Sequence, residues 1–192
     1  PVIACVLMGI VTLWGFCPEC KADVTAFSGM YASSATIAAI KNILNVGALI
    51  VLIQSVKWAN SEFVAVRRGE FYELILLTLL GMYFMISSRH FLMFIIGLET
   101  ASLPLCALVA FDKNRYESHE AAIKYVLTAV FSSAILLMGL SFVYGLTGTL
   151  YYDMMALTMR SNLGVMLVVG LAFVMAGFGF KLSLVPFHLW TA

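Results

Sequence analysis

The sequence predicts an all-α fold, a polytopic bundle of helices in a membrane. Of its 192 residues, 62% are hydrophobic and only 11% are charged, whereas soluble domains average about 45–50% apolar and about 25% charged residues. A single core could not hide so much apolar surface from water. The formal net charge of +1 provides no basic field, which excludes nucleic acid as a partner.

Charged clusters divide the chain into six apolar stretches, and a membrane-spanning helix needs about 20 mostly apolar residues. The stretches are 1–16, 36–56, 71–88, 91–111, 121–146 and 163–184. Each would satisfy its backbone polar groups internally, as hydrocarbon demands. The sequence therefore predicts about six transmembrane helices. The last is broken near Pro186, because proline removes a backbone donor and clashes with the preceding turn.

The first stretch is short and begins without a methionine, and the chain stops soon after Pro186. We therefore expect residues 1–192 to be a single membrane domain and an internal piece of a longer membrane protein. A further segment, 150–159, combines apolar residues with one acid. We expect it to lie along the membrane interface.

Loop charges predict the orientation, because cytoplasmic loops carry an excess of lysine and arginine. The loops that follow the second and fourth stretches carry five cations, and the opposite loops carry three. The five are Lys57, Arg67, Arg68, Lys113 and Arg115, and the three are Lys21, Arg89 and Arg160. The five-cation loops are therefore expected in the cytoplasm.

Four cysteines do not predict a metal or a cofactor. Cys17 and Cys20 form a CPEC motif, and such a pair is either redox-active or half of a metal site. A zinc site would need a second pair, which Cys5 and Cys106 inside helices do not supply, and an iron–sulfur cluster is excluded for the same reason. The favoured interpretation is a non-catalytic loop feature, with a local disulfide as the alternative.

Five charged residues lie within the apolar stretches, and three of them are not near a headgroup by this interpretation: Glu99, Lys124 and Lys181. An ionised group at the bilayer centre costs at least about 2.5–3.5 kcal/mol, and a domain's net stability is only roughly 5–15 kcal/mol. These groups therefore need partners, water or neutralisation, and a functional role is favoured over a static ion pair. Glu73 and Lys41 are closer to helix ends, where we expect their side chains to reach the headgroups.

These residue types suit proton movement, because burial disfavours the charged forms of both carboxyl and ammonium groups and allows proton exchange near neutral pH. A Glu–Lys pair with a further lysine is the minimum for an electrostatically gated relay. Glu99 lies about 18 Å along its helix from Phe111, and Lys124 only about 5–10 Å inside the next helix. A direct salt bridge and a water-mediated link between Glu99 and Lys124 both remain open.

The segment around Lys181 reads GFGFKLSLVPFHLW. A helix broken after Lys181 would expose carbonyl groups that can hold water or a cation. His188 titrates near neutral pH and is either a further relay residue or a histidine that caps or packs a helix. Three hydroxyl side chains could line a water path, although helix packing is favoured for each: Ser132, Ser133 and Ser183.

The chain resembles the N-subunit family of bacterial NADH:quinone oxidoreductase (respiratory complex I) in three segments: GLETASLPLCALVAF, ESHEAAIKYVLTAVFSSAILLMGLSFVYGLTGTL and GFGFKLSLVPFHLWTA. This family is antiporter-like and similar to subunits of multisubunit sodium/proton antiporters. The resemblance implies that Glu99 pairs with Lys124 and that Lys181 is the central proton-relay residue. It also implies about fourteen helices in the whole subunit.

The expected function, on this resemblance, is proton translocation by a membrane-arm subunit of NADH:quinone oxidoreductase in the bacterial inner membrane. The subunit would belong to an enzyme, a translocase, without containing a redox centre or cofactor. Its partners would be other membrane subunits and the lipid bilayer, with NADH and quinone handled elsewhere. One alternative is a subunit of a multisubunit cation/proton antiporter. Another is a structural scaffold, in which Lys181→Ala would leave activity intact.

Overall fold

The computed structural model describes residues 2–16, 23–60, 67–161 and 164–185. These residues form seven helices: α1 (Val2–Trp14), α2 (Ala35–Ala59), α3 (Arg68–Ile86), α4 (Phe91–Val109), α5 (Tyr116–Thr147), α6 (Tyr152–Ser161) and α7 (Val165–Lys181). They also form two short strands, β1 (Val24–Ala26) and β2 (Tyr31–Ser33). The chain divides into two compact units, Pro1–Leu108 and Val109–Ala192.

The predicted helical membrane fold is confirmed. Helices α2, α3, α4 and α5 are long and apolar enough to cross a bilayer. Helices α1 and α7 are apolar but shorter, with 13 and 17 residues. Four of the six predicted crossings therefore reach the required length within the part of the chain that the structure describes.

Helix α5 begins earlier than the sequence indicated. Its first residue is Tyr116 and it runs for 32 residues, so the predicted start at residue 121 is wrong. Polar residues join the first turn, where the carboxylate of Glu117 interacts favourably with the helix dipole. The helix ends at Gly148, whose φ of 65° is left-handed and whose N–H group donates to the carbonyl oxygen of Tyr144.

The segment predicted to lie along the interface forms α6. This helix has Asp153 in its first turn and Arg160 in its last. Both charges complement the helix dipole. The sequence predicts only that this segment lies along the membrane interface. The structure shows in addition that it is helical.

A β-hairpin precedes α2 and was not predicted. Its strands pair antiparallel, with Ala26 opposite Tyr31 and Val24 opposite Ser33. Backbone hydrogen bonds attach it to the loop between α3 and α4: the Ala32 N–H group donates to the Ser87 carbonyl oxygen over 2.8 Å. Strands of three residues are too short for a period-2 pattern to be recognised in a sequence.

The Pro1–Leu108 unit is built around a core that α1, α2 and α3 share. Its buried residues are Met8, Leu52, Ala59, Tyr72 and Leu79. Helices α3 and α4 approach closely at two glycines. A Cβ atom on Gly81 would lie 2.4 Å from the Ala101 nitrogen, and one on Gly97 would lie 2.7 Å from the Met85 nitrogen. Small residues let membrane helices pack at such short distances.

In the Val109–Ala192 unit, α5 and α7 pack along a line of glycines. A Cβ atom on Gly139 would lie 2.6 Å from the Val174 nitrogen, and one on Gly177 would lie 2.8 Å from Leu136 Cβ. The rings of Phe131 and Phe180 meet edge to face, 5.8 Å between centroids. This packing positions the end of α7 directly against α5.

Replacing Gly177 by valine should force α5 and α7 apart, because the new Cβ atom would meet both the backbone and the side chain of Leu136. Overpacking of this kind costs about 1–3 kcal/mol, so we expect a lower thermal midpoint for the intact protein in lipid nanodiscs. Gly145→Ala is the matched control, because its Cβ atom would meet only the flexible end of Met166, at 3.7 Å. A Gly177→Val protein as stable as the wild type would contradict this packing.

Helix α4 is capped by a histidine. The N–H group of Leu92 donates to Nδ1 of His90 over 3.1 Å, and only a neutral imidazole can accept there. His90 is buried, and burial lowers its pKa below the usual value. Protonation would also bring a positive charge to the positive end of the helix dipole.

Acidification should therefore destabilise the protein through His90. Because the folded-state pKa lies below the unfolded value of about 6.5, the unfolded chain binds the proton first, and stability is lost as the pH falls through this range. We expect a loss of about 1 kcal/mol, the typical contribution of an N-cap, in unfolding measured at pH 7.5 and pH 5. His90→Asn keeps a cap that does not titrate, and it should lose less stability over the same interval. Equal losses would exclude the cap as the cause.

Candidate functional site

Lys181 is the last residue of α7, and its Nζ atom is buried. A cavity of about 50 Å³ adjoins it, which is large enough to hold water. Four residues of α5 line this cavity, together with Phe180 and Lys181: Tyr125, Thr128, Ala129 and Ser132. The structure thus places the predicted central lysine next to polar groups of the neighbouring helix.

Two residues of α5 that line this cavity, Thr128 and Ser132, have hydroxyl groups that donate hydrogen bonds to backbone carbonyl oxygens of the same helix. The Thr128 hydroxyl donates to the carbonyl oxygens of Lys124 and Tyr125, over 2.8 and 3.0 Å. The Ser132 hydroxyl donates to the Ala129 carbonyl oxygen over 2.7 Å. Because each hydroxyl proton is committed to the backbone, each oxygen presents its lone pairs as acceptors. Such acceptors suit water molecules that take hydrogen bonds from an ammonium group.

Lys124 lies on the same face of α5, one turn before Thr128 and two turns before Ser132. It is eight residues from the start of α5, or about 12 Å along the axis, so it lies deeper in the helix than the predicted 5–10 Å. Its side chain is 70% exposed, and its Nζ atom lies 2.6 Å from Oε1 of Glu120. An exposed pair of this kind contributes only about 0.2–1 kcal/mol to stability.

Glu120 is the residue that the sequence prediction missed. The motif EAAIK places a glutamate four residues before Lys124, the spacing at which side chains meet on a helix. That signal is present in the sequence, but residue 120 lies just outside the apolar stretch that was predicted to begin at residue 121. The structure makes it part of α5 and the partner of Lys124.

Glu99 lies near the middle of α4 and is half-buried. Buried neighbours flank it along the helix, among them Leu98 and Ala101. Glu99 belongs to the Pro1–Leu108 unit, whereas Lys124 and Lys181 belong to the other. The pairing of Glu99 with Lys124 stays a prediction.

The chain leaves the helical path immediately after Lys181. The Ser183 N–H group donates to the Phe180 carbonyl oxygen, and the Leu184 N–H group donates to that of Gly179 over 2.9 Å. Ser183 has a left-handed φ of 54°. These bonds form a Schellman motif, which terminates helices, so α7 ends five residues before Pro186. Pro186, His188, Cys17 and Cys20 lie outside the described residues, and the roles predicted for them stay predictions.

Ser183→Gly should stabilise this helix end, because a non-glycine residue in the left-handed region costs about 1–2 kcal/mol. We expect a higher thermal midpoint for the intact protein. Ser141→Gly is the matched control, since Ser141 is exposed inside α5, where glycine is the poorer helix former. It should lower the midpoint. A lower midpoint for Ser183→Gly would show that Ser183 is not left-handed in the protein.

The described residues form long apolar helices, and Lys181 lies buried beside hydroxyl groups at the end of α7. These two features define a polytopic helical membrane protein with an ionisable group inside its bundle. Residues 88–192, more than half of the chain, match the family described as "NADH:quinone oxidoreductase/Mrp antiporter, TM". The chain belongs to this family.

Two curated relatives agree with this assignment. The chain is 51% identical over 190 residues to NADH-quinone oxidoreductase subunit N of Azobacteroides pseudotrichonymphae. It is 46% identical over 190 residues to the protein of the same name from Phocaeicola vulgatus. Each match covers 99% of this chain and 39% of the relative, so the chain spans about two fifths of their length.

A solved structure of respiratory complex I from Thermus thermophilus with bound aureothin contains a similar chain. The two superpose with a TM-score of 0.73 at 30% identity, over 98% of this chain and 39% of that one. The resemblance of three sequence segments to the N-subunit family is therefore confirmed.

Proposed function

We propose that this chain is part of a proton-translocating membrane-arm subunit of a bacterial NADH:quinone oxidoreductase. The names of its relatives and its family support this proposal. The subunit works in the bacterial inner membrane beside other membrane subunits, and NADH and quinone are handled by subunits other than this one. This chain supplies ionisable side chains and no redox centre or cofactor.

The buried Nζ atom of Lys181, beside a cavity with two hydroxyl acceptors, is the observation that carries the proposal. A charged ammonium group is costly inside a bilayer, so this position favours a lysine that gives up its proton. Water in the cavity accepts a proton from Nζ, which leaves a neutral amine. The amine then takes up the next proton. Thr128 and Ser132 orient the water by accepting its hydrogen bonds.

Lys124 is the group that passes protons toward Lys181 in this proposal. It lies one turn from Thr128 on the same face of α5, and its charge is balanced by Glu120 at 2.6 Å. Glu99 supplies the acid that the family resemblance pairs with Lys124. A change in the acidic environment of Lys124 alters how strongly it holds its proton, which provides the electrostatic gate.

Substitution of Lys181 tests the relay. Lys181→Ala should reduce quinone-linked proton transfer about 10²-fold or more in vesicles that contain the assembled complex, because positioned acid–base groups contribute typically 10²–10⁴-fold. Lys181→Arg should be equally defective, since arginine keeps the charge but does not release its proton. Lys57→Ala, at the exposed end of α2, is the control and should transport normally.

The arginine variant separates the relay from a structural role. A lysine that merely holds the fold by its charge would be rescued by arginine, so full transport in Lys181→Arg would overturn the proposal. Normal transport in Lys181→Ala would favour the scaffold alternative. Normal transport in Glu99→Gln would remove only the gating role of Glu99.

The family description also names Mrp antiporters, which keeps a cation/proton antiporter as the second candidate. The same vesicles distinguish the two functions. A membrane-arm subunit moves protons when quinone is reduced and needs no Na⁺ gradient. An antiporter moves protons against a Na⁺ gradient without any quinone reduction.

A further inference from the structure

Another cavity, with a mostly apolar surface and a few polar side chains, lies in the Pro1–Leu108 unit and has no part in the relay proposed above. Its volume is about 320 Å³, within the range of pockets that hold small ligands. Residues of α1, α2 and α3 line it, among them Trp14, Lys41, Asn42, Asn45 and Tyr83. An ammonium group and two carboxamides therefore border one open cavity whose surface is otherwise mostly apolar.

Lys41 has only neutral partners in the described part of the chain. Its Nζ atom donates to the Tyr31 hydroxyl oxygen over 2.7 Å and lies 4.8 and 5.7 Å from the ring centroids of Tyr31 and Tyr83. Neither ion pair among the described residues includes Lys41. The aromatic rings attract the cation, but the counter-charge that a lysine within an apolar helix requires is not provided by these residues.

The ammonium group of Lys41 shifts the pKa of its tyrosine partner, Tyr31. Burial by itself would raise the pKa of Tyr31. The hydrogen bond from Lys41, together with the charge of Lys41, lowers that pKa below its usual value. Lys41 therefore favours negative charge on the Tyr31 hydroxyl.

Asn42 gives an independent indication of a ligand. Its side chain is 5% exposed, and its Oδ1 atom is buried without a hydrogen-bond partner among the described residues. Gly15 leaves room for this atom, because a Cβ atom there would lie 2.6 Å from it. The carboxamide of Asn45, in contrast, accepts a hydrogen bond from the Tyr83 hydroxyl. Buried acceptors are normally satisfied, and Asn42 lines the cavity, so a donor in the cavity would satisfy its Oδ1 atom.

We propose that this cavity binds the headgroup of an anionic phospholipid that carries headgroup hydroxyls, of the phosphatidylglycerol class. The phosphate diester supplies the counter-charge to Lys41, and a glycerol hydroxyl donates to Oδ1 of Asn42. Trp14, which is 67% exposed at the rim, is of the residue type that collects at membrane interfaces.

Lipid retention by the intact subunit tests the proposal. The protein is placed in phosphatidylcholine nanodiscs that contain a minor fraction of phosphatidylglycerol, and the lipid that stays bound is identified by native mass spectrometry. Lys41→Gln should retain about tenfold less phosphatidylglycerol than the wild type, the effect of removing one charge-assisted hydrogen bond. Lys57→Gln removes the same charge from the far end of the same helix and should retain the wild-type amount.

Two further variants keep the test decisive should Lys41→Gln fail to fold. Lys41→Arg preserves the charge and should retain the lipid. Gly15→Ala intrudes on the Asn42 carboxamide and should reduce retention while leaving Lys41 in place. Equal retention by the wild type, Lys41→Gln and Gly15→Ala would overturn the proposal, and so would equal retention of phosphatidylcholine by the wild type.

A soluble phosphate ester offers the same chemistry, so a separate arm adds glycerol 3-phosphate to protein in pure phosphatidylcholine nanodiscs. Stabilisation of the wild type by phosphatidylglycerol and not by glycerol 3-phosphate would support the lipid. Stabilisation by glycerol 3-phosphate alone would overturn the lipid assignment. These outcomes are independent of proton transfer, because neither Lys41 nor Asn42 belongs to the relay.

Discussion

The close contact between α5 and α7 is the constraint on which the site depends. A Cβ atom added at Gly139, Gly170 or Gly177 would lie only 2.6, 3.1 or 2.8 Å from the facing helix, and lipid tails provide no hydrophobic force that would hold helices together. Van der Waals contact along this glycine line therefore fixes the end of α7. Lys181 follows Gly177 by one turn, so its side chain is placed against Thr128 and Ser132 by backbone packing.

The three lysines of the apolar segments illustrate different solutions to the cost of a charge in a membrane. Lys181 is buried next to a cavity that can hold water. Lys124 is exposed and balanced by a carboxylate on its own helix. Lys41 is held by a phenol and two aromatic rings. Our proposals assign a different role to each environment: proton exchange to Lys181, charge-balanced transfer to Lys124 and recognition of an anion to Lys41.

Most of the architecture could be predicted from the sequence, because hydrocarbon permits so few structures. The long helices α2 to α5 lie where apolar runs of sufficient length occur. The error in a predicted helix boundary lies at a polar helix end, the start of α5. Residues 116–120 looked like a loop because they are charged, yet they form the first turns of α5 and supply Glu120. The β-hairpin was missed because its strands have three residues each. The helix end at Lys181 depends on the left-handed Ser183, for which serine gives no signal.

By itself, the sequence determined that the chain is a helical membrane protein and that Glu99, Lys124 and Lys181 lie in apolar segments. Composition and the spacing of charges along the chain carry that information. Only the tertiary structure decided that Lys181 faces two hydroxyls, that Lys124 pairs with Glu120 and that Lys41 borders a cavity. The environment of a side chain depends on which helices pack beside it, and that packing joins residues far apart in the sequence.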